Sequence, residues 1–169
     1  MPPPQLIAQR GARLFTLIFA GCLAVIGAAL YLQHVHNLDP CPWCIVQRIL
    51  FVLIALIALI AVLHRPHGIG VTAYGTVIGL VSMTGIGAAT YHIYLQRDPA
   101  RAAKCAGSFV ERLLDQSALG RIIPPLFQYD GPCTLKPWAM LGLSIPEWSL
   151  IAFVLVLIAV GAGAFLGRR

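Results

Sequence analysis

Charged residues are scarce in this chain of 169 residues. Aspartate, glutamate, lysine and arginine together make up 11% of the sequence, whereas 59% is hydrophobic. An ordinary soluble domain is about 25% charged and about 45–50% apolar. The shortage of charge therefore excludes an ordinary soluble domain and indicates an integral membrane protein.

Segments in which apolar and polar residues alternate are also lacking, which excludes a transmembrane β-barrel. The apolar residues instead form four long stretches, each able to cross a membrane as a helix of roughly 20 residues. The predicted spans are about 14–32, 45–63, 69–95 and 148–167. The sequence thus predicts an all-α membrane protein: a four-transmembrane-helix bundle forming a single domain over residues 1–169.

Acidic residues are missing from one side of this predicted bundle. Four spans place both termini on that side, and all six acids lie on the other side with two loops, 33–44 and 96–147. The lysine and arginine count favours cytoplasmic termini modestly, because acids contribute little to the positive-inside rule. We expect both termini in the cytoplasm. The net charge of +6 follows from this topology, and no basic face with interleaved aromatics indicates nucleic-acid binding.

Small residues recur at a spacing of four in three spans. Such residues let helix backbones approach closely. We therefore expect tight helix packing at three sets of positions: Ala20, Ala24 and Ala28; Gly75 and Gly79; and Gly163 and Gly167.

The second outer loop is long for a compact bundle, and long loops are often functional. Ser108 and Glu111 match a capping box, which predicts a short helix over about residues 109–119. Residues 138–148 are rich in aromatic and aliphatic side chains, which is typical of a segment lying in the membrane interface. This segment would keep Cys133 near the membrane and near Cys41.

Two cysteines, Cys41 and Cys44, form a C-x-x-C pair at the mouth of the second span. Such a pair can close into a reactive disulfide or bind a metal. A purely structural disulfide is the alternative, but so short a closure removes little chain entropy. Redox use is therefore favoured. A helix starting near Pro42 would also favour a thiolate at its N-terminus.

Arg48 lies four residues after Cys44, so the two side chains share a helix face. A snorkelling arginine is the alternative interpretation, but an arginine inside an apolar span is a functional-site candidate. His92 lies near the outer end of the third span. It could bind a head group there, or it could simply bond a neighbouring helix.

Cys105 and Cys133 lie in the second outer loop and provide a second possible dithiol pair. The alternative for this pair is a purely structural disulfide within the loop. The neighbouring redox C-x-x-C makes that interpretation less favoured. Cys22 lies in the middle of the first span, where a free cysteine usually behaves as a small hydrophobe. We assign no functional role to Cys22.

The segment from Pro40 to Arg48, Pro-Cys-Pro-Trp-Cys-Ile-Val-Gln-Arg, resembles the signature of the DsbB family, the bacterial disulfide bond formation proteins B. The similarity extends over nearly the whole chain. It includes residues 31–35, 92–96, 131–133, 138, 141–143 and 146–148.

The resemblance implies a bacterial inner-membrane enzyme that oxidises a soluble periplasmic dithiol protein of the DsbA type. A partner thiolate would attack Cys105 of a Cys105–Cys133 disulfide, and Cys133 would then attack Cys41. Cys44 would be left as a thiolate that passes two electrons to a membrane quinone. We expect ubiquinone, with menaquinone as the alternative. The resemblance also places Arg48 and His92 at the quinone.

Two other classes remain as alternatives. A metal-binding membrane protein would use the cysteines and histidines as ligands, but the sequence lacks a second C-x-x-C and any H-x-x-x-H pair. We therefore expect no metal site. A structural scaffold with stapled loops would not explain Arg48. The resting pairing among the three connectivities open to four cysteines is not fixed by the residues themselves.

Overall fold

A computed structural model of the chain describes residues 4–66, 68–98, 112, 114, 116 and 139–166. Its four long helices are α1 (Pro4–Val35), α2 (Pro42–His64), α3 (Ile69–Gln96) and α4 (Ile145–Leu166). Two short strands, β1 (Ala139–Met140) and β2 (Leu143–Ser144), pair antiparallel just before α4. The predicted all-α four-helix architecture is confirmed.

Each of the four helices is long and apolar enough to cross a membrane. The qualifying segments are Gly11–Val35, Pro42–His64, Ile69–Gln96 and Ile145–Ala164. Three helices start earlier than the apolar stretches indicate: α1 begins at residue 4 rather than 14, α2 at 42 rather than 45, and α4 at 145 rather than 148. Helical hydrogen bonding thus continues beyond the apolar segment at these three ends.

The helices pack in a ring, because α1 contacts α2 and α4 while α3 contacts the same two helices. Aromatic side chains fill the centre of the bundle. The rings of Phe51 and Phe153 stack with their centroids 4.0 Å apart, and Phe15 meets Tyr74 edge to face at 6.2 Å. Helix association in lipid relies on such packing, because the acyl chains are as apolar as the side chains.

The predicted packing role of the small residues is confirmed for α3. Gly75 and Gly79 are buried and face Val160 of α4. Gly163 of α4 lies close to Leu14 of α1, so a larger residue at this glycine would collide with that leucine. Gly167 lies outside the described residues.

The same prediction is wrong for α1, where Ala20, Ala24 and Ala28 are all exposed. The inward face of α1 is formed by larger residues instead, with Phe15, Ile18 and Cys22 buried in the central cluster. Those three positions follow a spacing of three and four, which is the spacing of a single helix face. The alanine stripe therefore points away from the bundle.

Hydroxyl side chains on the outer surface of α3 are satisfied within the helix itself. The hydroxyls of Thr76, Thr84 and Thr90 each donate to the backbone carbonyl four residues earlier, at 2.7 to 3.1 Å. An unsatisfied hydroxyl facing lipid is costly because no water can replace the missing partner. These bonds make the exposed threonines compatible with a membrane-spanning surface.

Gly85 of α3 lies directly against the ring of Phe153 in α4. A methyl group at this position would lie 2.6 Å from Cζ of the buried Phe153 ring. We expect Gly85→Ala to lower the free energy of unfolding by about 1–3 kcal/mol, the usual range for overpacking a core. Thermal unfolding of the detergent-solubilised protein, followed by helical circular dichroism, measures the effect.

Gly87→Ala is the matched control, because a methyl group there would meet nothing within 4 Å. The same substitution in the same helix should leave the unfolding midpoint unchanged or raise it slightly, since alanine is the better helix former. Equal destabilisation by both variants would contradict the assigned contact.

The segment before α4 is a tight hairpin, which the sequence did not predict. Leu141 and Gly142 form its two-residue turn with φ values of 55° and 80°, as turns of this type require. Glu147 in the first turn of α4 bonds back to the residue before the helix: the backbone N–H and the hydroxyl of Ser144 both donate to Oε2 of Glu147, at 2.6 and 2.8 Å. The hairpin and the start of α4 thus occupy the predicted interfacial segment 138–148, whose depth in a membrane stays a prediction.

Arg112, Leu114 and Gln116 are helical. This agrees with the helix predicted for about residues 109–119. The remaining residues of that segment lie outside the described part of the chain.

Candidate dithiol site

The site is built on the first turn of α2, which begins at Pro42. Cys41 is the residue preceding the helix and has an extended backbone, with φ −88° and ψ 167°. Proline suits the first helical position, because its missing N–H would have no partner in the helix. The Cys41 carbonyl accepts hydrogen bonds from the backbone N–H groups of Cys44 and Ile45, at 3.0 and 3.2 Å.

This turn brings the two thiols together. The Cys41 thiol donates to the Cys44 sulfur across 3.4 Å, and both cysteines are reduced. A disulfide requires a sulfur–sulfur distance of about 2.0 Å, so a small rotation of either side chain would allow the bond to form. The geometry therefore permits reversible closure of the pair.

The two cysteines differ in their surroundings. Cys41 is 3% exposed, whereas Cys44 is half-buried. The hydrogen bond to the Cys44 sulfur and burial together raise the pKa of the Cys41 thiol far above its ordinary value. Cys41 therefore keeps its proton in the reduced pair, and a thiolate that forms in the pair resides on Cys44.

A buried hydrogen-bonded series links α3 to this pair. Nε2 of Gln47 lies 3.2 Å from Nδ1 of His92, and Nε2 of His92 lies 3.4 Å from the Cys41 sulfur. With the Gln47 amide nitrogen facing Nδ1, that ring atom is the acceptor and the ring proton is on Nε2, because the amide nitrogen has no lone pair to offer. His92 in this tautomer donates to Cys41, which in turn donates to Cys44.

Arg48 lies one turn below Cys44 and is buried, with 6% of its surface exposed. Its Nη1 donates to Oε1 of Gln33, at the end of α1, across 3.0 Å. The side chain thus faces the bundle and bonds another helix. This placement favours a role within the bundle over the snorkelling interpretation, which would direct the guanidinium into the head groups.

Aromatic side chains lie beside the dithiol, where α2 begins and α3 ends. Trp43 packs on Tyr91 with ring centroids 4.8 Å apart, and Tyr91 lies near Tyr94. Trp43 and Leu95 also contact the two cysteines in a small apolar cluster. Tryptophan and tyrosine are enriched where a membrane meets water, so the aromatic group indicates that the dithiol lies near a membrane surface.

Within the described residues, the sulfurs of Cys41 and Cys44 and a ring nitrogen of His92 all lie within 4.8 Å of one another. Cysteine and histidine are the residues that bind zinc most readily. The sequence predicted no metal site from cysteine and histidine spacing. That reasoning did not detect His92, which is 51 residues from Cys41 and reaches it only through helix packing.

The remaining predicted residues fall into two groups. Cys105 and Cys133 lie outside the described part of the chain, so their pairing and roles stay predictions. Cys22 is buried in the central core beside Phe15 and Ile18, which agrees with the expectation of a small hydrophobic side chain.

Two residues of the site, Gln33 and Gln47, were not singled out from the sequence. Gln47 is a polar residue inside an apolar span, and such residues usually face the bundle. That signal could have found Gln47. Gln33 is in the last turn of α1, where a polar residue needs no special explanation.

Four membrane-length helices carrying a paired dithiol at one end define a multi-pass membrane protein with a thiol–disulfide site. Comparison with known proteins gives its family. The family model described as "Disulfide bond formation protein DsbB" matches residues 11–163. The chain belongs to the DsbB family, and it is an oxidoreductase that acts in disulfide bond formation.

Individual relatives support the same assignment. The disulfide bond formation protein B of Aromatoleum aromaticum is 44% identical over 156 residues, which cover 92% of this chain and 92% of the relative. The protein of the same name from Azoarcus sp. is 39% identical over 162 residues, covering 92% and 93%. That from Saccharophagus degradans is 40% identical over 148 residues, covering 87% and 89%.

Proposed function

We propose that this protein oxidises the dithiol of a soluble, periplasmic DsbA-like protein and passes the electrons through two cysteine pairs to a membrane quinone. The observation that carries the proposal is the reduced Cys41–Cys44 pair at the N-terminal end of α2. Cys41 is hydrogen-bonded to His92, and the buried Arg48 lies one helical turn after Cys44. We place the protein in the bacterial inner membrane with both termini in the cytoplasm.

The proposed electron path begins at the outer loop. A partner thiolate attacks Cys105 of a Cys105–Cys133 disulfide, which releases Cys133 as a thiolate. Cys133 attacks Cys41 of a Cys41–Cys44 disulfide, and Cys44 leaves as a thiolate. The second partner thiol then attacks its own mixed disulfide, which releases the oxidised partner and a Cys105 thiolate. Cys105 attacks Cys133 of the Cys133–Cys41 disulfide, which forms the Cys105–Cys133 bond again and leaves Cys41 and Cys44 reduced. One partner disulfide is thus formed for each pair of electrons that enters the protein.

A terminal electron acceptor is required by the energetics of this path. DsbA is already a strong oxidant, at about −120 mV. For a two-electron couple about 30 mV corresponds to about 1.4 kcal/mol, so reoxidising such a partner needs an acceptor of higher potential. A quinone, ubiquinone first and menaquinone as the alternative, supplies that acceptor by taking up two electrons and two protons.

The residues around Cys44 suit this chemistry. The positive charge of Arg48 and the N-terminus of α2 both favour a thiolate at Cys44. Arg48 also has N–H donors of the kind that bind a carbonyl oxygen, and the aromatic and apolar residues at this end offer surface to an apolar ring. His92, hydrogen-bonded to Cys41, can keep the departing or arriving proton near the sulfurs.

Trapping the partner tests the proposed order of cysteines. We expect Cys133→Ser to accumulate a mixed disulfide between the partner and Cys105, because the unpaired Cys105 thiolate attacks the disulfide of oxidised partner and no Cys133 thiolate is present to displace the partner. Non-reducing electrophoresis of cells expressing the variant, followed by peptide mass mapping of the adduct, identifies the linked cysteine. An adduct on any other cysteine of this chain would contradict the assigned order.

A further inference from the structure

We propose that the reduced Cys41–Cys44 pair and His92 form a binding site for a thiophilic divalent cation of the zinc class, which holds the protein in its reduced state. This inference goes beyond the proposed function and does not depend on which quinone accepts the electrons. Its basis is the convergence of three buried or half-buried ligand atoms from two helices.

The distances suit a tetrahedral cation. Zinc binds thiolate sulfur at about 2.3 Å and imidazole nitrogen at about 2.0–2.1 Å. These lengths require sulfur–sulfur and sulfur–nitrogen separations of about 3.8 and 3.6 Å. The corresponding distances, Cys41 to Cys44 and Cys41 to His92, are both 3.4 Å. The third separation, Cys44 to His92, is within 4.8 Å, so a rotation of the Cys44 side chain by about an ångström or less would let all three atoms reach one ion.

The charge balance also suits a poorly solvated site. Binding breaks two S–H bonds, forms two metal–sulfur bonds and releases two protons to solvent. A divalent cation with two thiolates carries no net charge, so the complex avoids the large desolvation cost of a bare ion. Three protein ligands leave one coordination position for water or an external ligand, as in zinc sites that are not purely structural.

Gln47 supplies the partner that a metal-bound histidine usually has. Ligation through Nε2 places the ring proton on Nδ1, which then needs an acceptor. Nδ1 already faces the Gln47 side chain at 3.2 Å. Rotating the carboxamide by half a turn replaces its NH₂ group with its oxygen, so Gln47 can support either state of His92.

The oxidation state of the Cys41–Cys44 pair determines whether the cation can bind. A Cys41–Cys44 disulfide offers no thiolate, so the cation binds the reduced protein alone. While bound, it occupies both sulfurs and prevents the disulfide from forming again. We therefore expect Zn²⁺ to inhibit turnover and a chelator to restore it.

Metal binding is measured on the full-length protein in detergent, with Cys22, Cys105 and Cys133 replaced by serine so that only the pair remains. The protein is reduced with a phosphine and titrated with Zn²⁺ against a chromophoric chelator. We expect one Zn²⁺ per reduced chain and none after oxidation. We expect Gln47→Leu to weaken binding about 10–100-fold, as loss of a histidine's supporting partner does, and His92→Ala to weaken it further.

His64→Ala is the matched control, because His64 bonds Tyr74 at the opposite end of α2 and should leave the affinity unchanged. The Co²⁺ spectrum of the unsubstituted pair is a second measurement that needs no His92 variant. A tetrahedral spectrum with two thiolate ligands and one imidazole supports the site. Absent binding, binding to the oxidised form, or an affinity unaffected by His92→Ala would each overturn the inference while leaving the proposed electron path intact.

Discussion

Replacing either Cys41 or Cys44 with serine is expected to abolish quinone reduction while the protein still inserts and folds. Serine has nearly the shape of cysteine but cannot form a disulfide, so under the proposed path neither variant would accept electrons from Cys105 and Cys133. The first turn of α2 is held by backbone hydrogen bonds and by Pro42, which the substitutions leave in place. The rate of quinone absorbance change in membranes supplied with reduced partner measures the loss.

Cys22→Ser is the control for this experiment. Cys22 is equally a buried thiol, but it lies in the central core. A serine there can donate to the carbonyl four residues earlier, as Ser82 does to Ile78 at 2.9 Å. The control should retain wild-type turnover. Wild-type turnover in Cys41→Ser or Cys44→Ser would remove the C-x-x-C pair from the mechanism.

Arg48 is expected to give the second-largest effect. Arg48→Ala removes both a positive charge one turn from Cys44 and the hydrogen bond to Gln33. A hydrogen bond to a charged group contributes about 1.5–3 kcal/mol, which corresponds to about a 10–100-fold loss in kcat/KM for quinone. Arg48→Lys keeps the charge but loses the planar set of donors, so it should raise the quinone KM and retain partial activity.

Steady-state kinetics with a soluble quinone and reduced partner separate these effects. Arg13→Ala serves as the charge control, because Arg13 is exposed and lies near the other end of the bundle. If Arg48→Ala left both kcat and the quinone KM at wild-type values, Arg48 would have only a structural role in binding α1.

Local patterns in the sequence predict the features that depend on one segment. The four spans follow from their apolar stretches because lipid requires an apolar surface around the whole helix. Pro42 is compatible with the start of α2, and the shared face of Cys44 and Arg48 follows from helical spacing. Each of these conclusions needs only the geometry of a single helix.

The features that sequence reasoning missed depend on how helices meet. The contact between His92 and Cys41 requires α2 and α3 to pack in one particular rotation, and the contact between Arg48 and Gln33 requires the same of α1 and α2. The exposed alanines of α1 show that a spacing of small residues does not by itself determine which face of a helix is buried. Small residues can permit close packing, but the larger Phe15 and Ile18 determine which face of α1 points inward.

The hairpin before α4 was missed for a different reason. Its strands have two residues each, which is too short for any alternating pattern to be visible. Leucine is also an unusual residue for a left-handed turn position, so Leu141 gives no turn signal. A signal for the helix start was present, however, because Ser144 and Glu147 have the spacing of a capping box.

The central claim is that oxidation of a partner dithiol is coupled to reduction of a quinone through this protein. The most direct test follows both reactants in one anaerobic sample of purified protein, reduced DsbA-like partner and soluble quinone. Thiol titration measures the partner disulfides formed, and absorbance measures the quinone consumed. Because both are two-electron couples, the account predicts one quinone consumed per disulfide formed, with both reactions absent in Cys44→Ser. Partner oxidation without matching quinone loss, or quinone loss without partner oxidation, would contradict it.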